Sequence, residues 1–180
     1  MKLTSMLAAA AAFAILTGCE SPAPGLLSVE PVATAKDTAI DSALVGTWQE
    51  QGGQDPMAVI RPGDSGGYAI RVLSGSTVLE FQAMLFRVKD DEFLDLAPAD
   101  DSDFRIPGHA VMRLWIDGPA LKWAFLDSDW LKQRASALAV HTSNDRLQVF
   151  SPTAEVRAFV AANGTDDRAY GTVATWERVQ

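Results

Sequence analysis

The chain has 180 residues and a formal net charge of −8, with 48% hydrophobic and 21% charged residues. That length allows one domain with a sizeable core, and the acidic balance argues against nucleic acid as a partner. A single cysteine, Cys19, excludes an internal disulfide, so the fold has to hold by packing.

In chain order the first feature is Lys2, followed by an apolar run from Leu3 to Leu16 and small residues up to Gly18. A positive start, a short apolar core and a small-residue cut site describe a signal peptide over residues 1–18. The apolar run is short of the ~20 residues that a membrane-spanning helix needs. Leu16-Thr17-Gly18-Cys19 resembles the lipobox of bacterial lipoproteins. The resemblance implies cleavage between Gly18 and Cys19, a diacylglyceryl thioether on Cys19 and an acylated new amino terminus. Two or three acyl chains on one cysteine anchor a protein almost irreversibly, because each buried CH₂ contributes ~0.8 kcal/mol. Glu20 stands where lipoproteins retained in the inner membrane of Gram-negative bacteria typically carry Asp. The same resemblance therefore implies an outer-membrane lipoprotein facing the periplasm.

Residues 19–43 hold Pro22, Pro24, Pro31 and several small residues, and read as the lipidated cysteine with a flexible tether. A coil of about 20 residues spans roughly 25 Å. From Leu44 to the end at Gln180 the pattern becomes one β-rich domain of short apolar or alternating runs separated by turn signals. The predicted strands are Val45–Glu50, Met57–Arg61, Tyr68–Leu73, Thr77–Val88, Glu92–Leu96, Ala110–Asp117 and Ala120–Leu126. Asp117-Gly118-Pro119 makes a tight hairpin turn. Its flanks place Met112, Leu114 and Ile116 on one face and Leu121, Trp123 and Phe125 on the facing strand, so these six should line the core or a cavity in it. Thr77–Val88 becomes apolar on both sides beyond Met84, which predicts a bend or bulge there.

Two helices are expected near the C-terminal end. Asp127-Ser128-Asp129 offers the N-cap and first-turn acids of the first, whose apolar side is Trp130, Leu131, Ala135 and Leu138. Ser151 caps the second, with Pro152 at its first position, Val156, Phe159 and Val160 packed, and a stop at Gly164. Arg146–Phe150 and Thr172–Val179 complete the strands. The expected fold is mainly β (α+β): an antiparallel curved sheet or barrel of about eight or nine strands.

Leu44-Val45-Gly46-Thr47-Trp48 is similar to the Gly-x-Trp opening of lipocalins and related calycin barrels. In those families the tryptophan closes one barrel end and an arginine of the last strand packs over it. The resemblance therefore implies a barrel-closing set of Gly46, Trp48 and Arg178. The Thr-Asp-Tyr element of lipocalins is absent, and two helices precede the last strand instead of one. Leu85-Phe86-Arg87, Phe93-Leu94-Asp95-Leu96 and Asp129-Trp130-Leu131 also look like an uncharacterised family of bacterial envelope proteins, a likeness that transfers no activity.

Candidate chemistry is sparse. Gly63-Asp64-Ser65-Gly66-Gly67 matches the surroundings of a chymotrypsin-like nucleophile, yet both histidines lie downstream and a strand follows where a hydrolase elbow needs a helix. A hairpin loop is the simpler reading. His109 and His141 are isolated and lack zinc spacing, while Asp100, Asp101 and Asp103 lack the glycine and distal glutamate of a calcium loop. No catalytic residue, metal or cofactor is expected. Glu80, Arg87, Asp95, Arg113 and Lys122 stand on apolar strands, either lining a polar cavity or forming the water-facing half of the sheet. Among the five tryptophans, Trp48 and Trp123 read as core, Trp115 and Trp176 as half exposed, and Trp130 as a helix anchor. The expected function is a lipid-anchored binding module for a small apolar molecule or lipid. An envelope interaction or scaffold protein with a filled barrel is the alternative, and a hydrolase comes third.

Overall fold

A computed structural model describes residues 24–34, 36–37, 40–53, 55–64, 66–99, 108–143 and 146–179. Gly18, Cys19, Glu20, Ser65, Asp100, Asp101 and Asp103 lie outside these described residues. The strands are β1 Leu26–Ser28, β2 Gly46–Glu50, β3 Met57–Pro62, β4 Tyr68–Ser74, β5 Thr77–Val88, β6 Asp91–Pro98, β7 His109–Asp117, β8 Ala120–Phe125, β9 Val140–Ser143, β10 Arg146–Val149 and β11 Ala174–Arg178. The helices are α1 Ser128–Lys132 and α2 Thr153–Asn163. Every pairing from β2 round to β8 is antiparallel, and β11 bonds to both β8 and β2. These eight strands form a closed barrel, and β1, β10 and β9 extend the sheet from β7.

One register runs round the ring. Trp48 faces Ala58, Ala58 faces Val72, Val72 faces Leu79, and after a full circuit Trp176 faces Glu50 and Arg178 faces Trp48. Because side chains alternate along a strand, this register sends one apolar row of every strand into the barrel. The interior cluster includes Leu44, Trp48, Tyr68, Ile70, Leu85, Leu94, Leu114, Leu121 and Trp176. Met112, Ile116, Trp123 and Phe125 belong to it as well, so all six hairpin residues share the lumen face. The end carrying the β4–β5 turn is called upper here, and the end carrying the β5–β6 and β7–β8 turns lower.

A second core lies outside the barrel. Val156, Phe159 and Val160 of α2, Trp130 and Leu131 of α1, and Leu147 and Val149 of β10 pack with Phe86 of β5 and Phe93 of β6. This explains the two apolar sides of β5. The ladder to β6 continues through Met84 without a break, while that to β4 ends at Ala83, so no bulge interrupts the pairing at Met84; the second side is apolar because the helical layer covers it. Asp127 caps α1 by accepting from the Trp130 N–H at 2.8 Å. At α2 the helix begins one residue later than expected: Pro152 holds the cap position, and the Ser151 hydroxyl accepts the Ala139 N–H at 2.9 Å instead.

The segment expected to be a tether is partly built into the fold. β1 pairs antiparallel with β7 and parallel with β10, and Leu26, Val32 and Ala33 are buried. Its scattered apolar residues carry no period that a short strand would show, which hid it among the prolines. The β9 strand was hidden for the same reason.

Candidate functional site: the barrel lumen

The lower end of the lumen is sealed by contacts reaching across the chain. The Trp48 indole is fully buried, and its Nε1–H donates to the Leu44 carbonyl at 2.9 Å. The Arg178 guanidinium sits 4.3 Å above the Trp48 ring centroid and donates to the Val45 carbonyl at 2.7 Å and to the Ala43 carbonyl. Gly46 leaves space for it: a Cβ there would lie 2.2 Å from Arg178 Nη1. Tyr68 adds a buried ring whose hydroxyl accepts the Asp41 N–H at 2.6 Å. Burial pushes the Tyr68 phenol up, so it stays protonated.

The upper half differs in wetting. Val72, Phe81, Trp123 and Phe125 face the lumen but are only partly buried, and Leu79 is 48% exposed. Trp123 stands edge-on to both Trp176 and Phe125, at 5.6 and 5.5 Å between centroids. Trp176, expected to be half exposed, is only 6% exposed because its strand closes the ring between β8 and β2. The Nε1–H groups of Trp123 and Trp176 are buried without a hydrogen-bond partner among the described residues. Such groups are uncommon enough to ask for an explanation. An apolar, aromatic wall with a few polar atoms is the usual composition of a small-molecule site.

The charged strand residues do not converge in this lumen. Glu80 pairs with Arg71 on the exposed outer face, and Lys122 is likewise exposed. Arg87 alone of the five has lumen register, at the lower rim, where its Nε donates to Glu92 at 2.9 Å. Asp95 is buried outside the barrel: its carboxylate accepts the N–H groups of Val32 and Ala33 at 2.7 and 2.8 Å and lies 2.9 Å from His109 Nδ1. It fastens the segment after β1 to β6. His141 is on β9, opposite Gln148, and does not meet His109.

Arg113 is buried on the outer face of β7, bonded to Asp91 at 2.6 Å and Asp167 at 2.9 Å and set over the rings of Trp115 and Tyr170. Burial pushes the Tyr170 phenol well above its ordinary value, which keeps it a donor to the Gly164 carbonyl. The adjoining open cleft of about 910 Å³ is lined by Asp91, Asp117 and Asp167 and also by Glu92, Leu114 and Ile116 of the lumen row, so it opens at the lower rim of the barrel between β6 and β7. Through Nη1 and Nη2 Arg113 joins the 167–170 segment to the barrel, while its Nε is buried with no partner among the described residues; the cluster reads as structural.

Sequence reasoning missed Asp95 as a clamp, since its partners are backbone N–H groups that no side-chain pattern reveals. What the geometry defines is a closed eight-stranded antiparallel barrel consistent with a lipocalin-like barrel, sealed below and apolar above. No protein-family model, curated protein or solved structure matches the chain.

Proposed function

We propose that the protein is a cell-envelope lipoprotein, anchored through lipid on Cys19 to the outer membrane and facing the periplasm, whose barrel holds a small apolar molecule or a lipid. The observation that carries the binding half is the contrast within one lumen: a sealed lower end under Arg178 and a half-exposed aromatic wall above. A barrel of eight strands has room either for its own side chains or for one small ligand. The anchoring half rests on the lipobox-like Leu16-Thr17-Gly18-Cys19.

Intact-mass analysis of protein extracted from bacterial membranes tests the anchor. Loss of residues 1–18 and a diacylglyceryl adduct on Cys19 are expected, with Cys19→Ser releasing the protein to the soluble fraction; an unmodified Cys19 behind an intact leader overturns it. Native mass spectrometry and displacement of an apolar fluorescent probe test the lumen, and the absence of both adduct and probe binding overturns the carrier reading.

One feature favours a second reading, a scaffold that meets another envelope protein. β9 ends the sheet, pairing only with β10 among the described strands, and Val140 and Phe150 beside it are 40% and 49% exposed. A free edge of this kind is a template for another strand.

A further inference from the structure

We propose that the lumen selects amphiphiles that carry a cationic head group next to a carbonyl, and rejects anionic ones such as fatty acids. The inference rests on the reading of the barrel as a carrier and adds the chemistry of its ligand. Register places Glu50 on the lumen face directly across from Trp176, at the upper end. Glu50 is half-buried, and no described side chain pairs with its carboxylate. Among the described strand residues it is the single ionisable group facing the upper lumen. The other lumen-facing charges, Arg87, Glu92 and Arg178, lie at the lower end and are already engaged.

Two requirements follow for a head group lodged there. It should bring positive charge, because Glu50 has no cation to neutralise it and a carboxylate entering this space would meet a like charge. The faces of nearby indoles favour cations as well, and the net charge of −8 draws them in. It should also bring an acceptor, because the buried N–H groups of Trp123 and Trp176 lack one among the described residues. An acyl ester or amide of an amino alcohol meets both, with its chain against Val72, Phe81 and Phe125.

Three probes with one acyl chain separate the requirements: lauroylcholine, monolauroylglycerol and laurate, each titrated below its micelle concentration and followed by tryptophan fluorescence. Lauroylcholine should bind about three- to tenfold tighter than monolauroylglycerol, the scale of one partly exposed charge contact, with laurate weakest. Glu50→Gln should bring the two esters within about twofold of each other, and added salt should narrow the gap in the same direction. Trp176→Phe should weaken both esters together, since it removes a donor and leaves the charge in place. Equal affinity for the two esters, tighter binding of laurate, or a ratio unmoved by Glu50→Gln overturns the head-group selection while leaving the carrier reading standing. Failure of all three probes to bind overturns the carrier reading itself.

Discussion

Arg178, on the last strand, covers Trp48, on the first strand of the barrel, and the two are also register partners across the seam where the ring closes. The guanidinium therefore does two things at once: it lies on the ring and ties the Val45 and Ala43 carbonyls to the far end of the chain. Arg178→Ala should cost about 2–4 kcal/mol from the lost cation–π contact and the stranded carbonyls. That lowers the thermal midpoint by several degrees. Gly46→Ala should be comparably harmful, because its Cβ would strike Nη1 at a backbone φ of +153°. Calorimetry of the two variants checks both expectations, and an unchanged midpoint for either would remove the seal from the account.

Asp95 holds two backbone N–H groups in a place that water does not reach. Asp95→Ala leaves both donors buried and unpaired, at an expected cost of about 2–4 kcal/mol. Hydrogen exchange should show the amides of Val32 and Ala33 losing protection before the barrel strands do. Uniform loss across the barrel would contradict the local clamp.

The same segment is pinned further on by Arg157 of α2, whose guanidinium forms two bonds to Asp37, at 2.7 and 3.0 Å. Burial by itself would raise the Asp37 carboxyl, but the bonds from Arg157 and from the Thr34 N–H and hydroxyl outweigh it and hold it below its ordinary value. A depressed carboxyl contributes stability that is complete above the unfolded value of about 3.9 and is lost as pH falls through the folded one. Stability of the wild type should thus decline below about pH 4, and Asp37→Asn should flatten that decline while lowering stability at neutral pH. Denaturant titrations at pH 7 and pH 3 decide it; equal declines for the two proteins would remove Asp37 from the acid response.

Leu26 separates a tether from a strand. It is 2% exposed and packs in the outer core. Leu26→Asp should destabilise by more than about 3 kcal/mol, since it buries an unpaired charge, whereas Pro22→Asp in the preceding stretch should be neutral. Equal behaviour of the two variants in urea melts would return Leu26 to the tether.

Much of the barrel is written locally. Leu121, Trp123 and Phe125 alternate against Lys122 and Ala124 in a way only a half-buried strand requires, and Asp117-Gly118-Pro119 marks its turn. β5 misled for a specific reason: its outer row of Met84, Phe86 and Val88 faces α2 and not solvent, and the distance in sequence to α2 conceals that neighbour. Trp176 misled likewise, because β11 gains its second neighbour only when the ring closes onto β2. The lumen site was half legible. The six hairpin residues were found by alternation, but Glu50 became visible only through its register with Trp176.

The resemblance to lipocalin openings implied that Gly46, Trp48 and Arg178 meet at one barrel end; the sequence by itself determined most of the antiparallel strands, α2 with its buried face and the capped start of α1, which ends at Lys132 before the expected Ala135 and Leu138. Those signals are local: alternation, caps and turns act over a few residues. The tertiary structure alone decided that the sheet closes on itself, that residues 26–28 join it and the N–H groups of Val32 and Ala33 clamp onto Asp95, and which charges enter the lumen. Closure and register depend on strands far apart in the chain finding one another, and no short window of sequence records where a distant partner will lie.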